Sequence, residues 1–404
     1  MVEIRAIRDD EWQQYHDAIG FGFGGDPQDS DEAVGQFRAT NRIETTIVAV
    51  DRGRMVATFG SYDLEITMPG GGRLPMAGTT HVTVHPTHRR KGILTEMMRM
   101  HLDQAVERGQ PMAGLWASEE RIYGRFGYGP AVYSHELQIP VDVAALPPGD
   151  PDITLHPIDV DQAKEALPPI YEQQLTTAPP GRLVRSDEWW RGRRFFEQTP
   201  QEQGPRRRYV VAERDGEPVG YLIFRQMSSG DWSEGTTEIK ELVAADDDVR
   251  RSLWNFATNV DLFRNVKWWN APLDDPLVIE AHRFRRVTRS VMDTVWLRPL
   301  DVPAVLTGRR YERDGGVTIA VTDRFGPAAG TYRLDVTDGA AVCEATTATP
   351  DVTLAVEELG RMLLGGGAAA LLARAGLIVG DTAAIGTLHD LFVARVPPHS
   401  PEVF

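Results

Sequence analysis

Cysteine is nearly missing from this chain: its 404 residues hold one, Cys343. An internal disulfide and an all-cysteine metal site are thereby excluded. Positive charge is also in short supply. Lys and Arg number 43 against 58 Asp and Glu, a formal net charge of −15 at pH 7. Such a surface repels phosphate backbones, which removes nucleic-acid binding as the main task, and it draws in cations such as polyamines and amino sugars. Uninterrupted apolar runs of about 18 residues do not occur, which argues against a transmembrane helix. The opening residues, MVEIRAIRDDEWQQY, lack the apolar stretch of a secretory signal. The expectation is a soluble cytoplasmic protein. What is present is an ordinary globular mixture, 42% apolar and 25% charged. That excludes wholesale disorder and coiled coil, and the length allows two or three domains, each with its own core.

Two breaks organise the chain. Pro140–Pro157 is rich in Pro, Asp and Gly and reads as a linker; a second break falls near Leu297–Pro303. Domains are expected at 1–148, 149–297 and 298–404. The first two share an order of elements. TTIVAVDRGRMVATFGSYDLEI and RRYVVAERDGEPVGYLIFRQM are each two β-rich runs around a turn, Asp51–Arg54 in one and Asp215–Gly216 in the other. A third run follows in each, THVTVHP and EIKELVAAD, and then a helical pattern. An ancestral duplication is one reading, and shared architecture without common ancestry is the other. The third block alternates (GVTIAVTD, GTYRLDVTD, AVCEATT, DVTLAVEEL) before an Ala- and Leu-rich helical stretch, so it reads as a small sheet with packed helices. The tail, VPPHSPEVF, carries three prolines and must be extended.

The chemistry concentrates in His81–Leu94. Val82 and Val84 alternate with polar residues, as in a strand with one buried face, and Pro86 ends it. Arg89, Arg90, Lys91 and Gly92 then open a helix. Its Ile93, Leu94, Met97, Met98, His101, Leu102, Ala105 and Val106 recur at helical spacing. A strand, a basic glycine-containing turn and a helix N-terminus make an anion site: free N–H groups and the positive helix end point at a phosphate, and Gly92 permits close approach. A helix start with merely solvated basic residues is the plainer alternative.

V-x-V-x-P-x-x-R-R-x-G-[IL]-[LM] resembles the acetyl-CoA pyrophosphate motif of the GNAT N-acetyltransferases. Against the general pattern [QR]-x-x-G-x-[GA], the chain has Arg89-x-x-Gly92-x-Leu94, so the last small residue is absent. That departure is itself similar to the Eis-type (enhanced intracellular survival) acetyltransferases. The resemblance implies an α+β architecture of two tandem GNAT-like domains followed by a sterol-carrier-protein-like domain. It implies acetyl-CoA as co-substrate, with Val82 and Val84 offering backbone groups to the pantetheine arm. Arg89, Arg90, Lys91, Gly92, Ile93, Leu94 and Thr95 would cradle the phosphates, and Ser118 and Glu119 would supply further contacts. Tyr123 corresponds to the family's general acid and the carboxylate of the final residue, here Phe404, to its base. The resemblance also implies a homohexamer and aminoglycoside substrates, acetylated at several amines.

The acid assignment also stands on chemistry. Amine attack on a thioester expels a thiolate, and a phenol with a pKa of ~10 is protonated at neutral pH and able to donate. Within YGRFGYG alone, Tyr123, Phe126 and Tyr128 would instead simply pack. An α-carboxyl with a pKa near ~3.5 is a weak base unless burial among acids raises it or a water relays the proton.

In the second block, Asp246, Asp247 and Asp248 stand where the first has its basic turn, and no glycine replaces Gly92. These carboxylates suit a helix N-terminus but repel a pyrophosphate, so this domain is expected to bind no CoA. For the acceptor amine, the candidates are Phe21, Phe23, Asp26, Phe37, His81, Trp116 and Glu402, aromatics and acids that suit a cation. The aromatics would equally serve the first core. His81, His85, His88 and His135 lack completing ligands, so no metal is expected. Cys343 lies in an alternating run and reads as buried and inert. Two rival functions remain: a protein-lysine or polyamine acetyltransferase, and a ligand carrier with a vestigial transferase domain.

Overall fold

A computed structural model describes residues 2–24, 34–35, 38, 40–144, 146–195, 205–230 and 234–404. The chain opens with strand β1 (Glu3–Ala6) and helix α1 (Trp12–Phe23). Strands β2 (Ile47–Asp51) and β3 (Arg54–Thr67) follow, joined by a tight turn in which Arg52 and Gly53 both have positive φ. Such turns match the twist of the strands they join. Then come β4 (Arg73–Val84), α2 (Ile93–Glu107), β5 (Met112–Trp116) and the two-residue β6 (Gly129–Pro130).

The second series is β7 (Tyr133–Pro140), β8 (Ile153–Ile158), α3 (Val160–Gln174), β9 (Arg208–Arg214), β10 (Glu217–Met227), β11 (Gly235–Ala244), α4 (Asp247–Thr258), β12 (Phe263–Ala271) and β13 (Thr288–Asp293). Asp215 and Gly216, both at positive φ, close the β9–β10 hairpin. The last series is β14 (Val295–Pro299), α5 (Val302–Thr307), β15 (Gly315–Thr322), β16 (Gly330–Thr337), β17 (Ala340–Ala345), β18 (Val352–Ala355), α6 (Val356–Met362), α7 (Ala369–Arg374), β19 (Ile378–Gly380) and α8 (Thr382–Phe392). Residues 393–404 form no helix or strand.

Three mixed sheets result, ordered β1-β2-β3-β4-β5-β14-β6, β13-β7-β12-β11-β10-β9-β8 and β17-β16-β15-β18-β19. Two strands pair outside the sheet of their neighbours in sequence. Tyr133–Pro140 belongs to the second sheet, beside β12, and Val295–Pro299 to the first, between β5 and β6. Sequence patterning marks a strand as half or fully buried but carries no label for its partner, so a strand joining a distant sheet is invisible there.

The described chain forms two compact units. One comprises Met1–Val132, Pro179–Val184 and Asp293–Phe404; the other comprises Tyr133–Ala178 and Arg185–Met292. In the first, α2 lays Met97, Met98, Leu102 and Ala105 on Phe59, Ala77 and Leu115 of the sheet. Full burial of a Met, Leu or Phe side chain stabilises by roughly 1.5–3 kcal/mol. In the second, Leu253, Trp254 and Ala257 of α4 cover Leu222, Val266 and Trp268. The first unit also contains a buried cation, Arg309. Its Nη1 donates to Leu363 O (2.9 Å) and its Nη2 to Phe392 O (3.4 Å), at the C-terminal ends of α6 and α8. Two negative helix ends thus take the place of a carboxylate.

Candidate active site

The site begins where two strands part. β4 pairs in parallel with β5 only over Met76–Thr79, opposite Met112–Leu115, whereas it stays paired with β3 as far as Val84. His85 N–H donates to Val56 O of β3 at 2.8 Å. Backbone groups alternate sides along a strand, so those of Val84 and Val82 face away from β3, into the wedge. This edge suits an extended, amide-bearing chain. The departure has a local cause. His81 takes φ +52°, and the β3–β4 register shifts between Thr58 and Gly60, a bulge. Thr58 Oγ1 donates to His81 O at 2.6 Å and holds it.

Beneath the fork, Thr79 Oγ1 lies 2.8 Å from His101 Nε2 and 3.0 Å from Tyr128 Oη, all three buried. Burial, with a smaller push from Arg108, takes the His101 imidazole down to about 3. It is a neutral core group, which helical spacing alone cannot distinguish from any other buried position.

Past β4 the chain makes a 3-10 turn at Pro86–His88, then places Arg90 (φ +62°) and Gly92 (φ +83°) in left-handed conformations. Arg89–Gly92 therefore form the turn before the helix, and α2 itself begins at Ile93, because a left-handed residue cannot join an α-helix. Among the described residues no side chain caps this N-terminus. Its first N–H groups and the helix dipole face outward beside exposed Arg89, Arg90 and Lys91. Arg89 Nε also reaches Val84 O at 3.3 Å. His88, one residue earlier, is held by Thr87 Oγ1 (2.8 Å) and Asp51 Oδ2 (3.3 Å).

Wedge and turn open into one cleft of about 770 Å³. Val82, Val84, Arg89, Arg90, Gly92, Ile93, Leu94, Thr95, Ser118 and Glu119 line it, so all the expected cofactor residues except Lys91 meet there. Tyr123, itself buried, lines the same cleft. Burial pushes its phenol up, and a hydrogen bond with the Ser118 hydroxyl offsets part of that rise. His88, Ile122 and Arg125 line the cleft too and were not anticipated; their only sequence signal is proximity to the motif.

The expected acceptor residues are more scattered. Phe23 lines the cleft. Phe21 stacks on His85 (centroids 5.0 Å apart) and lines a neighbouring cavity of about 340 Å³. The His81 ring lies edge-on to Tyr15 and Tyr62, at 6.2 and 5.7 Å. Trp116 ends β5 opposite Val295, and Glu402 and Phe404 are buried; none of these three lines the cleft. Asp26 and Phe37 lie outside the described residues. Cys343 is buried, and its thiol is pushed up to about 11 by that burial first and by nearby carboxylates second.

The second sheet repeats the strand–turn–helix but closes it. Asp246 caps α4, its Oδ1 accepting from Asp248 N (3.1 Å) and Val249 N (3.0 Å), and Arg214 binds its other oxygen at 2.7 Å. The groups that point outward in α2 are here occupied by the chain's own carboxylate.

Among the described residues no cluster of His, Cys, Asp and Glu is arranged to hold a metal, and no helix is long and apolar enough to cross a membrane. Residues 3–131 and 181–299 each match an acetyltransferase (GNAT) domain, and residues 302–401 a sterol carrier protein domain. An uncharacterized N-acetyltransferase of Streptomyces avermitilis is 34% identical over 389 residues, 93% of each chain. The N-acetyltransferase Eis of Mycobacterium tuberculosis is 31% identical over 348 residues, 83% of this chain and 82% of that one. The crystal structure of Eis1 from Mycobacterium abscessus superposes with a TM-score of 0.86 at 31% identity, each chain fully covered. The parted β4 edge, the uncapped basic helix start and the buried Tyr123 phenol share one cleft, and the relatives, matched over most of both chains at 31% identity, show that the chain is a member of the Eis-type N-acetyltransferases of the GNAT superfamily.

Proposed function

We propose that this N-acetyltransferase acetylates the amines of polycationic small molecules such as aminoglycosides, at several positions, using one acetyl-CoA site per chain. The observation that carries the reading is the single cleft uniting Val82, Val84, the Arg89–Gly92 turn and Tyr123. The residues fit the co-substrate: a strand edge for the pantetheine amides, and N–H groups with two arginines for the phosphates. When bound, acetyl-CoA supplies an activated acetyl thioester. Tyr123 donates its proton to the departing sulfur, and a phenol raised by burial stays protonated through neutral pH. The Phe404 carboxylate takes the proton of the amine, directly or through a water. The net charge of −15 favours encounter with polycations. The capped start of α4 supports a second domain that binds no CoA and instead walls or assembles the enzyme. A homohexamer working in the cytoplasm completes the proposal.

The test is mass spectrometry of a panel of aminoglycosides, polyamines and lysine peptides after incubation with acetyl-CoA. Aminoglycosides should gain more than one acetyl group, and acetylation confined to peptides would overturn the substrate class. Residues appended after Phe404 should abolish turnover while acetyl-CoA still binds. Full turnover with the extended tail would remove Phe404 from the mechanism.

A further inference from the structure

The turn that carries Tyr123 is gripped by a part of the chain far away in sequence. After Tyr123 a 3-10 turn covers Gly124–Phe126, and Gly127 reverses the chain at φ +83°. Tyr128 anchors the far side through Thr79. The near side meets a loop of the sterol-carrier-type domain, Asp323–Ala328, within the same compact unit. Phe325 of that loop packs edge-on against the buried ring of Phe126, centroids 4.9 Å apart, and Arg99 of α2 lies 5.1 Å over Phe325.

Arg298 of β14 runs through this junction with no exposed surface. Its Nη2 donates to Asp323 Oδ2 at 2.8 Å, and both side chains of the pair are buried. Asp323 in turn accepts from the backbone N–H groups of Phe325, Gly326 and Ala328 at 3.0–3.1 Å, so it shapes the whole loop. The guanidinium lies between two glycines. A Cβ at Gly127 would run into Arg298 Nη1, and one at Gly326 into Nη2. One glycine belongs to the Tyr123 turn and the other to the loop. Among the described residues Nε and Nη1 meet no acceptor. A buried cation held by one carboxylate is a poor stabiliser compared with apolar packing, so stability alone does not account for it.

We infer that Arg298 and Asp323 are positioning residues for the acetyl transfer: they lock the sterol-carrier-type domain against the Gly124–Gly127 turn and thereby fix the phenol of Tyr123 at the departing sulfur. This rests on Tyr123 being the general acid. The domain beside the transferase then has a task at the reacting atoms other than lipid transport, and one separate from carrying the tail.

The experiment is a double-mutant cycle between the strut and the phenol. Arg298→Met with Asp323→Asn removes both charges together, which avoids leaving a buried charge unpaired. Gly326→Ala is the second probe, since its methyl displaces the guanidinium and keeps every charge. Each is measured alone and with Tyr123→Phe. The expected result is a fall in kcat of tenfold or more in the native background, with KM and the acetyl-CoA Kd unchanged within about twofold, and no further fall in the Tyr123→Phe background. Equal losses in both backgrounds, or full kcat in a folded strut variant, would overturn the inference. Full kcat in Tyr123→Phe alone would instead overturn the general-acid reading, which the single substitution reports before any strut variant is made.

Discussion

Acid should loosen the catalytic unit before it damages the chemistry, and His101 is the reason. The ring is fully buried, hydrogen-bonded through Nε2 to Thr79 and tilted on Phe59 at 4.9 Å. Among the described residues its Nδ1 has no partner. Protonation would put a charge into the apolar core, with Arg108 adding a smaller repulsion, and would leave the added N–H without an acceptor. Hence the pKa of about 3 in the folded protein, against ~6.5 unfolded. A group with its folded pKa depressed contributes stability above the unfolded value and loses it as pH falls, here from ~6.5 down towards 3. From pH 7 to pH 5 the unfolded chain takes up most of one proton that the folded chain refuses, which costs about 2 kcal/mol. The assay is urea unfolding of the native chain and of His101→Phe at both pH values, followed by acid-sensitive amide exchange in β4 and β5. The His101→Phe variant is less stable at pH 7, having lost the Thr79 bond, but its loss on acidification should be smaller by about 2 kcal/mol. Equal losses in the two proteins would refute the reasoning.

Two further outcomes test the paired helix starts. Calorimetric titration should give one acetyl-CoA per chain; Arg89→Ala with Arg90→Ala should weaken it at least tenfold, and two per chain would contradict the closed second site. Asp246→Ala should destabilise the second unit by ~1 kcal/mol in chemical unfolding, as loss of a helix cap does, and leave acetyl-CoA affinity untouched.

Local features were legible and distant partners were not. The β-strand of Val82 and Val84, its stop at Pro86 and the apolar face of α2 follow from periodicity, and both hairpin turns follow from residues that accept positive φ. The third-domain runs became β15–β18, although the last of them, DVTLAVEEL, is a strand only through Ala355 and turns helical in α6 from Val356. The family motif located the cleft, but the divergence of β4 from β5 depends on the register of three strands. No single run of residues encodes that. The same holds for Thr79, His101 and Tyr128, which are spread over 49 positions before they touch. Arg298 was legible only as one charge near a domain boundary, and its carboxylate lies 25 residues away in another fold.

The place of β14 has a consequence for synthesis of the chain. The first sheet has β14 in its interior, yet β14 emerges only after the whole second series of elements. Until Pro299 leaves the ribosome, the outer edge of β5 stands bare, and β6 waits ~170 residues for its neighbour. At translation speeds of ~5–20 residues per second that is roughly ten to thirty seconds. Throughout it, a nascent polypeptide carries an open, apolar strand edge, the kind that recruits other strands. The leading sheet is therefore completed only after the second series has been made, and its order of assembly runs against its order of synthesis.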